Sequence, residues 1–298
     1  MPKSVRKRIL FIVNPASGTG YAGKEGFERI ITENLSSKLF DYKISYTISA
    51  QDAVELSKSA AEEGFDIIAA VGGDGTANRV VKGMFGSASV FAFVPVGSGN
   101  GLARYLNIPL DPAKSIALIN KLNVREIDTV SMNDELFVSI AGVGFDALVA
   151  KKFAKAEYRG FFSYFHIAMQ SYPGYRPRKY RMVIDGVPLK RKALFVSFAN
   201  SNQFGYNTII APDASINDGL VDVCIFRKAP VFSAPYVLGL LWRHKIDHSA
   251  YLEIYKAKEV QVTRNKNRHV NLDGEPVKVG KDITIKVNPL SLKVIAPL

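Results

Sequence analysis

The segment that decides the fold is residues 66–107, DIIAAVGGDGTANRVVKGMFGSASVFAFVPVGSGNGLARYLN. Two short apolar runs, 66–71 and 90–95, each lead through a glycine-rich turn into a segment with helical periodicity. The same alternation extends back to residue 8 and forward to about residue 128. It is typical of a parallel sheet with helices packed on both faces. We therefore predict an α/β domain over residues 1–128.

The second half of the chain has a different pattern. Strand-like runs dominate it, interrupted by helical stretches near residues 146–172 and 231–245. Asp273-Gly274, between two alternating runs, is a strong signal for a two-residue hairpin, which joins antiparallel strands. We therefore predict a mainly antiparallel, β-rich domain over residues 129–298.

The composition is that of a globular, basic protein. Hydrophobic residues make up 47% of the 298, which argues against a disordered, collagen-like or coiled-coil chain. Lys and Arg outnumber Asp and Glu by 39 to 27, so the surface should attract nucleic acid, anionic membrane or polyphosphate ligands. The single cysteine excludes an intramolecular disulfide, and the apolar run 9–13 is too short for a signal-peptide core. We expect a cytoplasmic protein with only peripheral membrane contact.

Glycine-rich loops follow three predicted strands of the α/β domain: NPASGTG at 14–20, GGDGT at 72–76 and PVGSGNG at 95–101. In a parallel sheet these loops should meet at one edge. Glycine lets main-chain amides close on phosphate oxygens, and a helix N-terminus adds partial positive charge. Asp74 could hold a magnesium ion or orient an attacking hydroxyl. Each loop alone could be a plain turn; together they predict a nucleotide site.

Residues 151–192 combine positive charge with aromatic side chains. Eleven Lys and Arg face only two acids, Glu157 and Asp185, and aromatics such as Tyr158 and Phe162 are interleaved with them. This composition is typical of a membrane-interface surface. The alternative, given nearly equal weight, is a helix pair with aromatics in the core and solvated charges. Without an RNA-binding or helix-turn-helix signature, we expect no nucleic-acid partner.

The segment APDASINDGLVDV, residues 211–223, carries three aspartates. It fails the calcium-loop template, because Asp218 stands where glycine is required and Cys224 where a bidentate glutamate is needed. From the residues alone, a solvated turn and a cation site made partly from carbonyl groups are equally compatible with it.

In their order along the chain, NPASG, GGDGT, PVGSGN and the late NLDGE resemble the diacylglycerol kinase catalytic-domain superfamily, specifically the bacterial soluble lipid kinases related to sphingosine kinases. The resemblance extends over residues 8–290. It implies phosphorylation of a lipid hydroxyl by ATP with Mg²⁺, with nucleotide bound by the N-terminal domain and lipid entering between it and a β-sandwich-like second domain. A kinase of a soluble acceptor such as NAD, and a nucleotide-regulated membrane-binding protein without turnover, are the alternatives.

The resemblance also implies roles for single residues. Glu275 would be the general base, and Asp74 and Asp128 would belong to a magnesium and water network. The residues that would contact ATP are Asn14, Ser17, Gly18, Gly72, Gly73, Gly75, Thr76 and Ser98. The residues that would hold a structural magnesium are Ser215, Asp218 and Leu220, the first and last through main-chain oxygen. Gly101 departs from the family pattern, because many bacterial members have aspartate there. The implied partners are a lipid substrate and an anionic membrane surface, and a homodimer is compatible with the sequence.

Overall fold

A computed structural model describes residues 6–17, 24–156, 160–203 and 208–298. The chain forms two compact units, one of residues up to Ile127 together with Leu290–Leu298, the other of Asp128–Pro289. The sequence pattern placed the whole C-terminal end in the second domain. The structure differs there, because Val294 pairs in parallel with Phe91 of the first unit.

The first unit is a parallel sheet with helices. Its own strands are hydrogen-bonded in the order β2-β1-β3-β4, and the three pairs are parallel. The strands are β1 (Lys7–Val13), β2 (Phe40–Tyr46), β3 (Ile67–Gly72) and β4 (Val90–Pro95). The helices are α1 (Lys24–Asn34), α2 (Ala50–Glu62), α3 (Asp74–Met84), α4 (Gly101–Tyr105) and α5 (Pro112–Ile119). Because β3 is buried along its whole length, its run is continuously apolar, and the α/β prediction is confirmed.

Side-chain hydrogen bonds satisfy backbone groups at helix ends in this unit. Asp111 caps α5, because its carboxylate accepts the amide N–H of Lys114 at 3.0 Å and proline follows at the first helical position. Helix α1 ends at Asn34. There the side chain of Asn120 donates to the Asn34 carbonyl at 2.8 Å and accepts the Ser36 amide at 2.9 Å. A residue from outside the helix thus provides hydrogen-bond partners for backbone groups at its C-terminal end.

The second unit contains two sheets. One has the order β12-β11-β10-β7-β14-β15, and the other contains β16-β13-β8-β9 with β5 beside β16 and β6 beside β5. The strands are β5 (Val124–Met132), β6 (Glu135–Phe137), β7 (Ile140–Gly144), β8 (Arg178–Ile184), β9 (Val187–Ala193), β10 (Phe195–Ala199), β11 (Val221–Phe226), β12 (Leu252–Ala257), β13 (Glu259–Thr263), β14 (Arg268–Leu272), β15 (Glu275–Val279) and β16 (Asp282–Ile295). The helices are α6 (Phe145–Phe153), α7 (Phe161–Ser171) and α8 (Ala234–Trp242), with 3₁₀ turns at Val231–Ser233 and Ile246–His248.

The two sheets of this unit share one core. Val196 and Val223 of one sheet and Val262 and Ile285 of the other are buried in the same cluster. Pairing within the first sheet is antiparallel, as it is from β16 through β13 to β8 and β9. The predicted antiparallel, sandwich-like domain is confirmed. A second cluster packs the three helices on the outer face of the β10–β11 sheet. The helical stretch predicted near 146–172 is two helices, α6 and α7.

Candidate functional site

The glycine-rich loops of the first unit lie together at the carboxyl edge of its sheet. They follow β1, β3 and β4, which are consecutive neighbours in that sheet. The side-chain amide of Asn14 donates to the hydroxyl of Thr76 at 3.1 Å and joins the first loop to the second. Asp74 Oδ1 accepts the amide N–H of Leu102 at 3.3 Å and joins the second loop to the helix after the third.

Main chain packs directly against main chain between the second and third loops. The Gly72 carbonyl accepts the amides of Val96 at 2.9 Å and Gly97 at 3.1 Å. A Cβ atom added to Gly97 would lie 2.4 Å from the Cα atom of Gly73, so no other residue fits without moving the backbone. The cradle is therefore walled by peptide groups, which are the donors that bind phosphate in glycine-rich loops.

Helix α3 begins inside this cradle. Its first amides, from Asp74 onward, have no acceptor within the helix, and the helix dipole makes this end partly positive. A nucleotide phosphate fits these features. The structure places the following predicted nucleotide residues at this edge: Asn14, Ser17, Gly72, Gly73, Gly75, Thr76 and Ser98. Gly18 lies outside the described residues, and contact with ATP stays a prediction for all eight.

Asn100 is a candidate residue that the sequence analysis did not single out. It has a φ of 52°, and its side-chain nitrogen donates to the Gly97 carbonyl at 2.7 Å. Its side-chain oxygen is buried and accepts no hydrogen bond among the described residues. A buried acceptor beside a phosphate cradle is available to a ligand donor. The available signal was the asparagine between two glycines, because asparagine tolerates left-handed backbone better than most residues.

Asp74 is the acidic side chain of these loops. No cluster of three or more His, Cys, Asp or Glu suited to a metal occurs in the part of the chain that the structure describes. Mg²⁺ is usually held by one or two carboxylates together with water and substrate phosphates rather than by an all-protein cage. The cradle and its single carboxylate thus fit a magnesium ion that enters with a nucleotide.

A tight hairpin in the second unit carries Glu275. Strands β14 and β15 are joined by Asp273 and Gly274, with φ values of 46° and 90°, so the two-residue hairpin is confirmed. The buried Asp273 carboxylate accepts the amides of residues 138–140 at 2.8–2.9 Å. Glu275 is the first residue of β15 and is partly exposed. Its backbone position is therefore fixed by a turn that is itself anchored to a second segment.

Asp146 is a buried acid behind this hairpin. Asn271 donates to its two carboxylate oxygens at 3.0 and 3.1 Å, and Tyr164 donates at 3.3 Å. Burial raises the pKa of Asp146 to about 6, although both hydrogen bonds oppose the shift. The side-chain oxygen of Asn271 accepts the amide of Gly274 at 2.9 Å, so a chain of hydrogen bonds links Asp146 to the turn that carries Glu275. The sequence analysis missed Asp146, whose signal was an acid at the start of an apolar helix.

A lysine ammonium occupies the acidic segment at residues 213–222. The Nζ atom of Lys256 lies 3.1 Å from the Asp213 carbonyl oxygen, 3.1 Å from Asp218 Oδ2 and 3.4 Å from Asp222 Oδ2. The Asp222 side chain is only 3% exposed. Burial raises the pKa of Asp222, and the charge of Lys256 opposes that shift. Lys256 therefore compensates the buried negative charge of this segment.

The predicted structural magnesium site shares Asp218 with these contacts. Of its three predicted ligands, Asp218 already bonds Lys256 through Oδ2 and the amide of Leu220 through Oδ1 at 3.0 Å. The hydroxyl of Ser215 donates to Asn217 at 2.9 Å. A divalent cation beside Asp218 would therefore lie close to the positive charge of Lys256, with the main-chain oxygens of Ser215 and Leu220 as its other ligands. A structural magnesium held by Ser215, Asp218 and Leu220 stays a prediction, and it would have to compete with Lys256 for Asp218.

Asp128 is fully buried and holds the same loop from the other side. Its Oδ2 accepts the amide of Gly219 at 2.7 Å, and its own amide donates to the Ile216 carbonyl at 2.7 Å. These contacts position residues 216–219. Membership of Asp128 in a magnesium and water network stays a prediction.

Some aromatic side chains of the basic stretch at 151–192 pack in the core, and others are exposed on the surface. Tyr172 and Tyr175 pack edge-on against Phe145 in the core, as the core interpretation predicted. Phe162 of α7 is 85% exposed, as the surface interpretation predicted. Glu157 and Tyr158 lie outside the described residues. Exposed aromatics also occur in the segment 231–242, where Phe232 is 85% and Trp242 88% exposed. We call the exposed apolar side chains of α7 and of residues 231–242 the aromatic surface.

Across the described ranges, no helix combines the length and apolar character that crossing a bilayer requires.

Known proteins resemble both units. Residues 8–132 match the model of the diacylglycerol kinase catalytic domain, and residues 139–296 match that of the YegS C-terminal NAD kinase beta sandwich-like domain. The diacylglycerol kinase of Bacillus subtilis strain 168 is 31% identical over 278 residues, which cover 90% of each chain. A protein of Pseudomonas putida named "Probable lipid kinase YegS-like" is 27% identical over 258 residues, which cover 85% of each.

Solved structures share the fold. The crystal structure of a diacylglycerol kinase from Bacillus anthracis strain Sterne superposes with a TM-score of 0.72 over 98% of this chain and 97% of that chain. The two sequences are 19% identical, so this likeness concerns the fold alone.

Proposed function

The chain belongs to the diacylglycerol kinase catalytic-domain family, and we propose that it is a lipid kinase that transfers the γ-phosphoryl group of ATP to a hydroxyl group of a membrane lipid. Membership of this family makes it a phosphotransferase of the kinase type. The proposal depends on one observation: the loops of the first unit pack closely together and form a cradle of peptide groups beside the single carboxylate of Asp74.

We assign ATP binding to these loops. Amides at the start of α3 and in the third loop donate to phosphate oxygens, and the orphaned oxygen of Asn100 accepts from the ligand. Arg104, whose Nε donates to the Gly99 carbonyl at 3.0 Å, adds positive charge beside the third loop. Magnesium held by Asp74 and the phosphates would neutralise charge on the transferred group.

We assign proton removal to Glu275. Its carboxylate takes the proton of the lipid hydroxyl as the hydroxyl oxygen bonds to the γ-phosphorus. The bond from that phosphorus to the bridging oxygen breaks, and its electron pair leaves with ADP. Such a base contributes about 10²- to 10⁴-fold to the rate. The anchored turn of Asp273 supports this role, because positioning supplies much of the catalysis in phosphoryl transfer.

We assign membrane contact to the aromatic surface. Clustered exposed apolar side chains mark interaction sites in soluble proteins. Arg243 and Lys245 follow the surface in sequence, and such cations attract anionic lipids. Aromatic rings favour the headgroup level of a bilayer. This arrangement would deliver a lipid substrate without a membrane-spanning segment.

The catalytic proposal is tested by transfer of labelled γ-phosphate from MgATP. Wild type, Asp74→Ala, Glu275→Ala and the control Glu55→Ala are compared on a total lipid extract and on soluble acceptors including NAD; Glu55 is an exposed residue of α2. We expect labelled lipid from wild type and the control. Glu275→Ala should bind ATP normally and lose at least about 10²-fold in turnover.

Each alternative has its own outcome. Label in NAD and not in lipid would replace the lipid by a soluble acceptor. Binding of ATP and of vesicles without any transfer would leave a nucleotide-regulated membrane-binding protein. Normal turnover of Glu275→Ala would remove Glu275 as the base while leaving the lipid acceptor in place.

Trp242 reports membrane contact directly, because it is the single tryptophan of the chain. On vesicles containing anionic lipid we expect its fluorescence to shift to the blue, and on neutral vesicles less so. Phe232→Ser should weaken binding, whereas Ile48→Ser, which removes an exposed apolar side chain from the first unit, should not. Equal binding by both variants would refute the assignment of this surface.

A further inference from the structure

The second unit contains a cavity of about 520 Å³ with a positively charged wall. It lies among α6, the start of β8, residues 264–267, which join β13 to β14, and the first two residues of β14. The titratable groups on its wall, apart from Tyr180, are Lys151, Arg178, Lys179, Arg264, Arg268 and His269, and no Asp or Glu of the described residues lines it. None of these cations was assigned a role in binding ATP or the acceptor.

Arg264 is the buried cation of this wall, with 6% of its surface exposed. Its guanidinium donates to the carbonyl oxygens of Gly280 at 2.6 Å and Val279 at 3.1 Å, and its Nε is buried without an acceptor. No carboxylate within the described ranges pairs with it. Burial lowers the pKa of Arg264, and the positive charges of Arg268 and Arg178 act in the same direction. The wall thus holds mutually repelling charges, with no carboxylate among the described residues that line it.

Clustered like charges destabilise a folded chain, and a bound anion removes the repulsion. Guanidinium groups match phosphate oxygens through paired hydrogen bonds. The cavity also falls within the roughly 300–1,000 Å³ typical of small-molecule sites, which exceeds what a bare ion needs. We propose that this cavity binds an organic phosphate, that is, a phosphomonoester or phosphodiester group attached to a small organic head.

Two neighbouring elements indicate what occupancy would do. Helix α6, which contributes Lys151, packs against α7, which carries part of the aromatic surface. Strand β14 begins with Arg268 on the cavity wall and ends at Leu272, which pairs with Glu275. A lipid phosphate in the cavity would therefore bind near α7, to which we assign membrane contact. It would also stabilise β14, the strand that leads into the Asp273-Gly274 hairpin. Binding itself does not depend on the chain being a lipid kinase.

The test compares phosphate binding by the full-length chain without nucleotide. Calorimetry and thermal unfolding are run with inorganic phosphate against chloride at matched ionic strength. The double variant Arg178→Gln with Arg268→Gln removes two cations of the wall. The control, Lys190→Gln with Lys192→Gln, removes the same charge from exposed positions of β9. We expect at least about tenfold weaker phosphate binding in the first variant and unchanged binding in the control.

Further arms identify the source of the phosphate. Monomeric short-chain phosphatidic acid and glycerol phosphate are titrated beside inorganic phosphate. Tighter binding of the lipid than of glycerol phosphate supports a lipid headgroup, and equal binding supports a soluble organic phosphate. Equal responses of the two double variants, or no preference of wild type for phosphate over chloride, would overturn the proposal. If the double variant does not fold, Arg268→Gln alone and the wild-type comparison still decide it.

Discussion

Replacing Asp273 tests how the second unit holds Glu275. The carboxylate is 7% exposed and accepts three amide N–H groups, from residues 138–140. Leaving one buried donor unpaired costs about 1–3 kcal/mol. Asp273→Ala orphans all three, so it should lower the free energy of unfolding by at least about 3 kcal/mol. Asp273→Asn keeps both bonds to Oδ1 and loses the one to Oδ2, so it should cost about 1–3 kcal/mol.

Urea denaturation followed by circular dichroism gives the free energies for the full chain. Hydrogen exchange read by mass spectrometry on peptides covering residues 138–140 reports the same amides directly. Protection should fall in Asp273→Asn and disappear in Asp273→Ala. Asp134→Ala, at an exposed turn between β5 and β6, is the matched control. A cost below about 1 kcal/mol for Asp273→Ala, or unchanged protection at residues 138–140, would show that these bonds do not anchor the turn.

Three further changes have defined outcomes. The pKa of Asp146 rises from 3.8 to about 6 on folding, so the folded state keeps this proton at higher pH and stability falls as pH rises through that window. Asp146→Asn should flatten the slope there and gain up to about 3 kcal/mol above it, measured by urea unfolding across pH; an unchanged slope refutes this. Lys256→Met leaves buried Asp222 without its cation, so it should lower the melting temperature and make that temperature more sensitive to Mg²⁺ against EDTA than it is in wild type; an unchanged melting temperature would show that Lys256 does not compensate Asp222. Gly97→Ala should abolish ATP binding in titrations while the fold persists, because its Cβ would meet the backbone of Gly73; normal affinity would show that the loops can separate.

Features set by neighbours in the sequence could be predicted. The alternation of strand and helix patterns predicted the parallel sheet, because periodicity and turn residues are local signals. Asp273-Gly274 gave the hairpin, because both residues tolerate the positive φ of such a turn. The cap at Asp111 rests on the same kind of local chemistry. The meeting of the three loops needed one further rule, that parallel strands end at the same edge.

Features set by distant residues could not be predicted. The ammonium of Lys256 lies 43 residues from Asp213 in sequence, so the segment 213–222 gave no sign of a built-in cation. The residue pattern of strand β16 does not show which strand it pairs with. The pairing of its end with β4 depends on tertiary contacts between residues distant in sequence. Burial of Asp146 depends on β14 and α7 packing over it.

The positions of the basic side chains in the structure show why composition alone cannot predict the shape of a binding site. Lys151, Arg178 and Lys179 all belong to the basic stretch that the sequence associated with a membrane interface, yet the fold places them on a cavity wall with Arg264 and Arg268 from about 90 residues later. The exposed aromatics of the aromatic surface lie on other elements. A run of charge therefore predicts an anionic partner but not the shape of its site. The affinity of a flat surface for anionic vesicles should fall steeply as the salt concentration rises, whichever anionic lipid the vesicles contain. A cavity, in contrast, should bind phosphate more tightly than chloride at the same ionic strength. The two binding modes can thus be separated in the same protein, through Phe232 for the surface and Arg268 for the cavity.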